Sequence, residues 1–322
     1  MKVIAILGAS GYIGRHLVAH LILHGGYRVK VLSRKHRADL TKSEWPSGVN
    51  VCQGDMQDLK SLQMFLEPNC IVVNLVYLWE SGESVNLAVT KNLLSACKDA
   101  QVERLIHCST AAVVGRVAED KITEGTACRP ISEYGITKLK VEKLIVAAAA
   151  GFDTVVLRPT GVFGIGGEPL KKLAGDLATG SPFKNYLKSC LFGKRRMNLV
   201  HISNVVAAVT FLIDRIERLN GQVFIVSDDN ALNNNFADIE LKLMGALGST
   251  GYAFPRIPMP SGLLKFFLFC LKRNNINPGC NYIQDKLERL GFESPVTFNE
   301  GLEEYASWYR ATIDAGLVEV SS

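Results

Sequence analysis

The chain has 322 residues, 48% of them hydrophobic, with 36 Lys and Arg against 31 Asp and Glu for a formal net charge of +5. That length buries a sizeable core without disulfide staples, which excludes a small cross-linked scaffold, and so mild a charge does not argue for a nucleic-acid partner. The eight cysteines (Cys52, Cys70, Cys97, Cys108, Cys128, Cys190, Cys270 and Cys280) show neither a Cys-x-x-Cys pair nor a His/Cys metal spacing, so we expect no metal site and reduced thiols in a cytoplasmic protein.

In chain order, Val3 to Leu7 is a short apolar run that reads as a buried strand over 2–7. It runs straight into Gly8, Gly11 and Gly14, so no secretory signal is expected. A helix over 12–24 follows, with Ile13, Leu17 and Leu21 on one face. Strand, glycine turn and helix form the context of a dinucleotide site, in which the pyrophosphate sits on the positive end of the helix. Further buried strands are predicted at 28–32, 49–52, 70–76, 104–108, 154–158 and 222–226, with helices at 57–66, 84–99 and 135–150. This alternation predicts an α/β fold with a doubly wound, parallel Rossmann-type sheet and a smaller C-terminal substrate lobe.

The expected division is a dinucleotide-binding domain at 1–164, rejoined by 198–227, and a substrate lobe from 165–197 and 228–322. Leu199 to Ile202 reads as a strand opening a helix capped by Ser203. No apolar stretch approaches the ~20 residues of a membrane span. The nearest, Leu263 to Leu271, is expected to be a buried lobe helix, with an interfacial patch of phenylalanines as the alternative.

Tyr134 and Lys138 lie four residues apart, on one face of a helix. A phenol titrates near ~10. A fixed ammonium beside it favours the phenolate, so Lys138 is expected to lower that value and make Tyr134 usable for proton transfer at a sugar or alcohol oxygen.

These elements together resemble the extended short-chain dehydrogenase/reductase superfamily, in its NAD(P)-dependent nucleotide-sugar epimerase/dehydratase branch. The likeness runs through Gly8-Ala-Ser-Gly-Tyr-Ile-Gly14, Gly54-Asp55-Met56 and Val85-Asn86-Leu-Ala-Val-Thr90-Lys-Asn-Leu-Leu94. It continues through His107-Cys-Ser-Thr110-Ala-Ala-Val-Val-Gly115, Leu157-Arg158-Pro159-Thr-Gly-Val-Phe-Gly164 and Leu290-Gly-Phe-Glu-Ser-Pro295. The resemblance implies cofactor contacts at Gly8, Ser10, Gly11, Tyr12, Ile13, Gly14, Asp55, Met56, Leu75, Val76 and Pro159. It also implies a catalytic hydroxyl at Thr110, or Ser109 if the register slips by one. Lys138 would in addition hydrogen-bond the nicotinamide ribose, and Asn86 would meet the substrate. A homodimer through the helices at 84–99 and 130–150 is implied as well.

Three departures narrow the reading. The second strand ends in Ser33, Arg34 and Lys35 rather than an acid, which favours NADP(H) over NAD(H), because Arg34 can fork onto a 2′-phosphate. Ala111-Ala112 stand where the family's dehydratases carry Asp-Glu, so water elimination is not expected. Val76-Tyr77 replace small residues beside the nicotinamide and disfavour the turning of a sugar ring that 4-epimerisation requires. The basic run Lys194-Arg195-Arg196 resembles the family's diphosphate grip, with Arg195 and Arg196 the candidates. The expected function is NADPH-dependent reduction of a keto group on a nucleotide-linked deoxysugar. A nucleotide-sugar 4-epimerase with bound NAD is the nearest alternative, and a non-catalytic dinucleotide sensor is a more distant one.

Overall fold

A computed structural model describes residues 1–34, 45–249, 251–270 and 277–316. The chain divides into two compact units, one of residues 1–113, 130–158 and 205–224, the other of 114–129, 159–204 and 225–322. The boundary therefore falls at Arg158 rather than after residue 164, and 114–129 crosses into the second unit.

The sheet strands are β1 (Lys2–Leu7), β2 (Tyr27–Ser33), β3 (Asn50–Gln53), β4 (Ile71–Asn74), β5 (Arg104–Cys108), β7 (Asp153–Pro159) and β10 (Gln222–Val226), in the spatial order β10-β7-β5-β4-β1-β2-β3. Every pairing from β7 to β3 is parallel. All residues of β4, β5 and β7 are buried, as expected for strands covered on both faces. The β4 run is shorter than the predicted 70–76 because the Asn74 side chain caps the strand, its Oδ1 accepting the Val76 N–H at 3.1 Å.

Helices α1 (Tyr12–His24), α2 (Leu59–Phe65), α3 (Gly82–Asp99) and α4 (Glu133–Ala147) belong to the first unit. Leu62, Phe65, Leu93, Ala96, Val141 and Ile145 meet Ala5, Leu7, Val72 and Leu105 in one apolar cluster. At the starts of β5 and β7 lies a buried ion pair. Arg104 Nε donates to Asp153 Oδ2 at 2.6 Å, and the rest of its guanidinium donates to the carbonyls of Leu212, Arg215 and Glu217. Asp153 Oδ1 in turn accepts the N–H groups of Leu219 and Asn220, so one buried pair fixes the end of α7 (Ile202–Asp214) against β5 and β7.

In the second unit, β8 (Gly161–Phe163) pairs parallel with β9 (Leu199–His201), and β6 (Lys121–Ile122) pairs parallel with β11 (Asn281–Tyr282). Strand 199–201 thus builds its own two-stranded sheet, and of the expected 198–227 return only β10 joins the large one. Ser203 sits inside the first turn of α7 and does not cap it. Helices α5 (Lys171–Thr179), α6 (Pro182–Phe192), α8 (Phe236–Ala246), α9 (Ser261–Cys270), α10 (Asp285–Glu288) and α11 (Phe298–Asp314) complete the unit. Leu170, Ala174, Ile239, Leu243, Leu302 and Tyr305 form its core. Of the described side chains of α9, only Leu264 is buried, which overturns the expectation of a buried lobe helix.

Candidate active site

The glycine loop is packed backbone against backbone. Gly8 has φ +81°, and a Cβ there would stand 3.1 Å from the Leu75 carbonyl carbon. A Cβ on Gly14 would stand 2.6 Å from the Ala9 Cα, so α1 begins hard against the turn. The N-cap is Gly11, with no capping side chain. A helix start without a cap leaves backbone N–H groups directed outward, a cradle suited to an anion. Ser10 is exposed, and Tyr12 and Ile13 are half-buried in the first turn. The residues present therefore fit a dinucleotide pyrophosphate.

The neighbouring strand ends complete this face of the first unit. Leu75 N–H donates to the Leu7 carbonyl at 3.0 Å, and Gly54 N–H to the Ser33 carbonyl at 2.9 Å. Asp55 Oδ1 accepts the Gln57 N–H at 2.9 Å, which orients the carboxylate at the tip of β3, and Met56 is buried behind it. Ser33 is half-buried and Arg34 exposed, whereas Lys35 lies outside the described residues. Pro159 is buried at the end of β7.

The Thr110 turn and α4 meet because of a glycine that sequence reasoning passed over. A Cβ on Gly135 would lie 3.0 Å from the Ala112 carbonyl oxygen and from Pro130 Cβ. Its absence lets the first turn of α4 press on the turn after β5. Ser132 caps that helix, its Oγ accepting the Gly135 N–H at 3.2 Å. The Thr110 hydroxyl accepts the Ala112 N–H at 3.2 Å and is close enough to the phenol of Tyr134 to favour its ionised form. Ser109 is buried, its N–H given to the Leu157 carbonyl at 2.7 Å, and its hydroxyl has no partner among the described residues.

Burial pushes the Tyr134 phenol up to about 12, the charge of Cys108 adds to this, and the Thr110 hydroxyl opposes it. Burial outweighs Lys138 here, so the expectation that Lys138 lowers this value does not hold. Lys138 is itself buried and donates Nζ to the Cys108 carbonyl at 2.7 Å. Burial lowers its own pKa, against the opposing charges of Cys108 and Glu142. One turn further along α4, Glu142 holds Arg158 of β7 through a buried forked pair, with Nη2 to Oε2 at 2.6 Å. This pair fixes the helix that carries Tyr134 and Lys138 to the sheet.

Two aromatic residues cover the tyrosine. The Trp79 ring stacks on Tyr134 with centroids 4.7 Å apart and planes 16° from parallel, and Tyr77 meets it edge-on at 4.8 Å and 87°. Trp79 had no motif to mark it. Both residues ride on the loop between β4 and α3, which Asn86 braces. The Asn86 amide accepts the Leu78 N–H and donates to the Leu78 and Gly82 carbonyls at 2.7–3.0 Å. Asn86 is buried in that work, which corrects its expected role as a substrate contact.

Arg196 is corrected on the same ground. In the second unit its guanidinium donates to the carbonyls of Leu232 and Ala231, each at 2.9 Å, and to that of Asp229, so it clamps a turn rather than presenting a diphosphate grip. Arg195 is half-buried next to it, with its N–H on the Phe192 carbonyl and its own carbonyl accepting the Phe236 N–H. Among the described residues no cluster of His, Cys, Asp or Glu is arranged to hold a metal, and no helix is long and apolar enough to cross a membrane.

A doubly wound parallel sheet, a glycine cradle at its first helix and a Thr/Tyr/Lys cluster are the features expected of an extended short-chain dehydrogenase/reductase. The family model for the NAD dependent epimerase/dehydratase family matches residues 4–227, and the chain belongs to that family, whose enzymes depend on nicotinamide dinucleotides. The chain is 27% identical to a UDP-glucose 4-epimerase from Vibrio cholerae, over 95% of this chain and 94% of that one. It is 24% identical to the 4-hydroxy-2-methyl-3-oxo-4-farnesyl-3,4-dihydroquinoline-1-oxide ketoreductase of Stigmatella aurantiaca, over 76% and 74%. Among solved structures, the Bordetella bronchiseptica enzyme WbmG in complex with NAD and UDP superposes with a TM-score of 0.72 at 19% identity, covering 98% and 96%. That last likeness speaks for the fold alone.

Proposed function

We propose that the protein is an NADPH-dependent reductase acting on a keto group of a nucleotide-linked sugar, with Tyr134, Thr110 and Lys138 as its reacting set. The observation that carries this reading is the aromatic wall of Tyr77 and Trp79 against Tyr134. A 4-epimerase has to let its keto intermediate turn over and present its other face, and bulk at this place restricts that turn. Ala111 and Ala112 carry no acid or base for dehydration.

The reduced nicotinamide, when bound, supplies a hydride to the carbonyl carbon. Tyr134 holds its proton at neutral pH and is the group that delivers it to the carbonyl oxygen. The Thr110 hydroxyl, which lies beside that phenol, orients the oxygen towards it. Lys138 fixes the Cys108 carbonyl at the strand end from which Thr110 follows, and its ammonium lies 5.9 Å from the Tyr77 ring centroid. Arg34, exposed at the tip of β2, supports the preference for NADP(H). Substrate class follows from the family and from the UDP-glucose 4-epimerase relative. Pairing of two copies through α3 and α4 belongs to the same reading and is tested by light scattering.

A 4-epimerase is the second reading, favoured by the relative that matches nearly the full length of both chains. Dinucleotide released from the purified protein separates the two. Recovery of NADPH or an empty site that prefers it supports the reductase. Tightly held NAD that never exchanges overturns it in favour of epimerisation.

A further inference from the structure

In the second unit, several large apolar side chains of the described residues stand exposed. Along α9, Leu263, Phe266 and Phe269 are 47%, 62% and 55% exposed, a stripe at helical spacing. In α6, Phe183 and Leu187 point outward one turn apart, and Phe254 and Ile257 are exposed in the segment leading to α9. These pieces are tied to one another. Tyr186 donates its hydroxyl to the Pro255 carbonyl at 3.0 Å, and Met259 N–H donates to the Cys190 carbonyl at 3.0 Å, two residues before α9 begins. Soluble monomers rarely expose a contiguous surface of this kind, and where one occurs it marks an interaction site.

The segments that form it carry cations and no acids of their own. Residues 181–194 and 251–270 contain Lys184, Lys188, Lys194, Arg256 and Lys265 and no Asp or Glu. Lys188 is paired with Asp176 at 2.7 Å and Arg256 with Glu240 at 3.1 Å, so the exposed Lys184, Lys194 and Lys265 carry the outward charge. Arg116 adds a guanidinium 5.2 Å from the Phe269 ring centroid. Pairing of this face with a second copy of itself would set these cations against each other. A surface of negative headgroups over an apolar interior is complementary to both the charge and the phenylalanines. Ten residues of helix span about 15 Å, so α9 lies on such a surface and does not cross it.

We propose that the face formed by α9, α6 and the 254–257 segment docks the protein on a bilayer surface bearing anionic lipid, with Leu263, Phe266 and Phe269 entering the boundary between headgroups and acyl chains. The test is co-sedimentation of the full chain with vesicles of phosphatidylcholine alone and of phosphatidylcholine with phosphatidylserine. Wild-type protein is expected in the pellet with the anionic vesicles, less so at high salt. The F266S/F269S double variant is expected to bind them more than about tenfold more weakly, because two phenylalanine burials are lost. K265E is expected to weaken binding to anionic vesicles alone. Circular dichroism and NADPH binding unchanged in both variants keep the comparison a surface effect. Wild-type protein that stays in the supernatant with anionic vesicles overturns the proposal. So does a wild-type dimer that F266S/F269S converts to monomer, since the face is then an interface between copies.

Discussion

The indole of Trp79 lies face to face on the ring of Tyr134, 4.7 Å between centroids and 16° between planes. Trp79 is nonetheless 71% exposed, so it is a cover on the tyrosine and not part of the core. Such a stack contributes about 0.5–1.5 kcal/mol beyond area burial. Its larger effect is on titration, because burial is the main cause that pushes the Tyr134 phenol up to about 12. Trp79→Ala uncovers the ring, and the apparent pKa of Tyr134 falls towards its ordinary value. A pH–rate profile whose basic limb moves down in the variant is the expected outcome; an unmoved limb contradicts the covering role.

At the tip of β2, the exposed Arg34 is the residue we propose to choose between cofactors. Hydrogen bonds to charged groups contribute about 1.5–3 kcal/mol, so Arg34→Ala should weaken NADPH binding by roughly 10- to 100-fold and leave NADH nearly unchanged. Fluorescence titration with each dinucleotide measures both. Equal losses for the two would show that the guanidinium does not read the 2′-phosphate.

Gly14 has no room for a side chain, since an added Cβ meets the Ala9 backbone at 2.6 Å and also the Gly8 carbonyl oxygen. Gly14→Ala should cost about 1–3 kcal/mol of stability by overpacking and lose dinucleotide affinity with it. Denaturant unfolding with and without NADPH checks this, with the stabilising effect of added NADPH expected to shrink.

Much of this was open to reading in the chain itself. Buried parallel strands are short apolar runs, and β1, β5 and β10 stand where such runs occur. The glycine loop and the Thr110, Tyr134 and Lys138 spacing are local signals of the same kind. What escaped depends on contacts distant in sequence. Trp79 reaches Tyr134 across 55 positions because the Asn86 amide folds its loop back. Arg196 reads as a free cation until the 229–232 turn closes on it. The apolar composition of α9 says that it seeks cover, and composition is silent on whether the fold supplies any. Strand 199–201 has the pattern of a main-sheet strand, but its partner 161–163 draws it into a separate pair.

Acid stability carries the mark of two buried carboxyls in the second unit. Burial raises Asp228 and Asp229 to about 6 each, against the donors that surround them. A carboxyl raised above its unfolded value of ~3.9 binds more protons folded than unfolded between those two pH values, so its contribution to stability falls as pH rises from about 4 to 6. Asp228→Asn removes that titration, although the Asn204 and His201 donors then share a single acceptor oxygen. Thermal unfolding from pH 4 to 7 should show a smaller loss across this window in the variant. An identical slope would assign the dependence to other groups.

Tyr134→Phe tests the central claim most directly, because it removes one hydroxyl and keeps the ring beneath Trp79 and Tyr77. Single-turnover oxidation of NADPH with a nucleotide-linked keto-sugar should slow by about 10²- to 10⁴-fold, the usual contribution of a positioned proton donor. NADPH affinity should stay at the wild-type value. A variant that turns over at the wild-type rate would mean that another group delivers the proton, and the assignment of Tyr134 would fall.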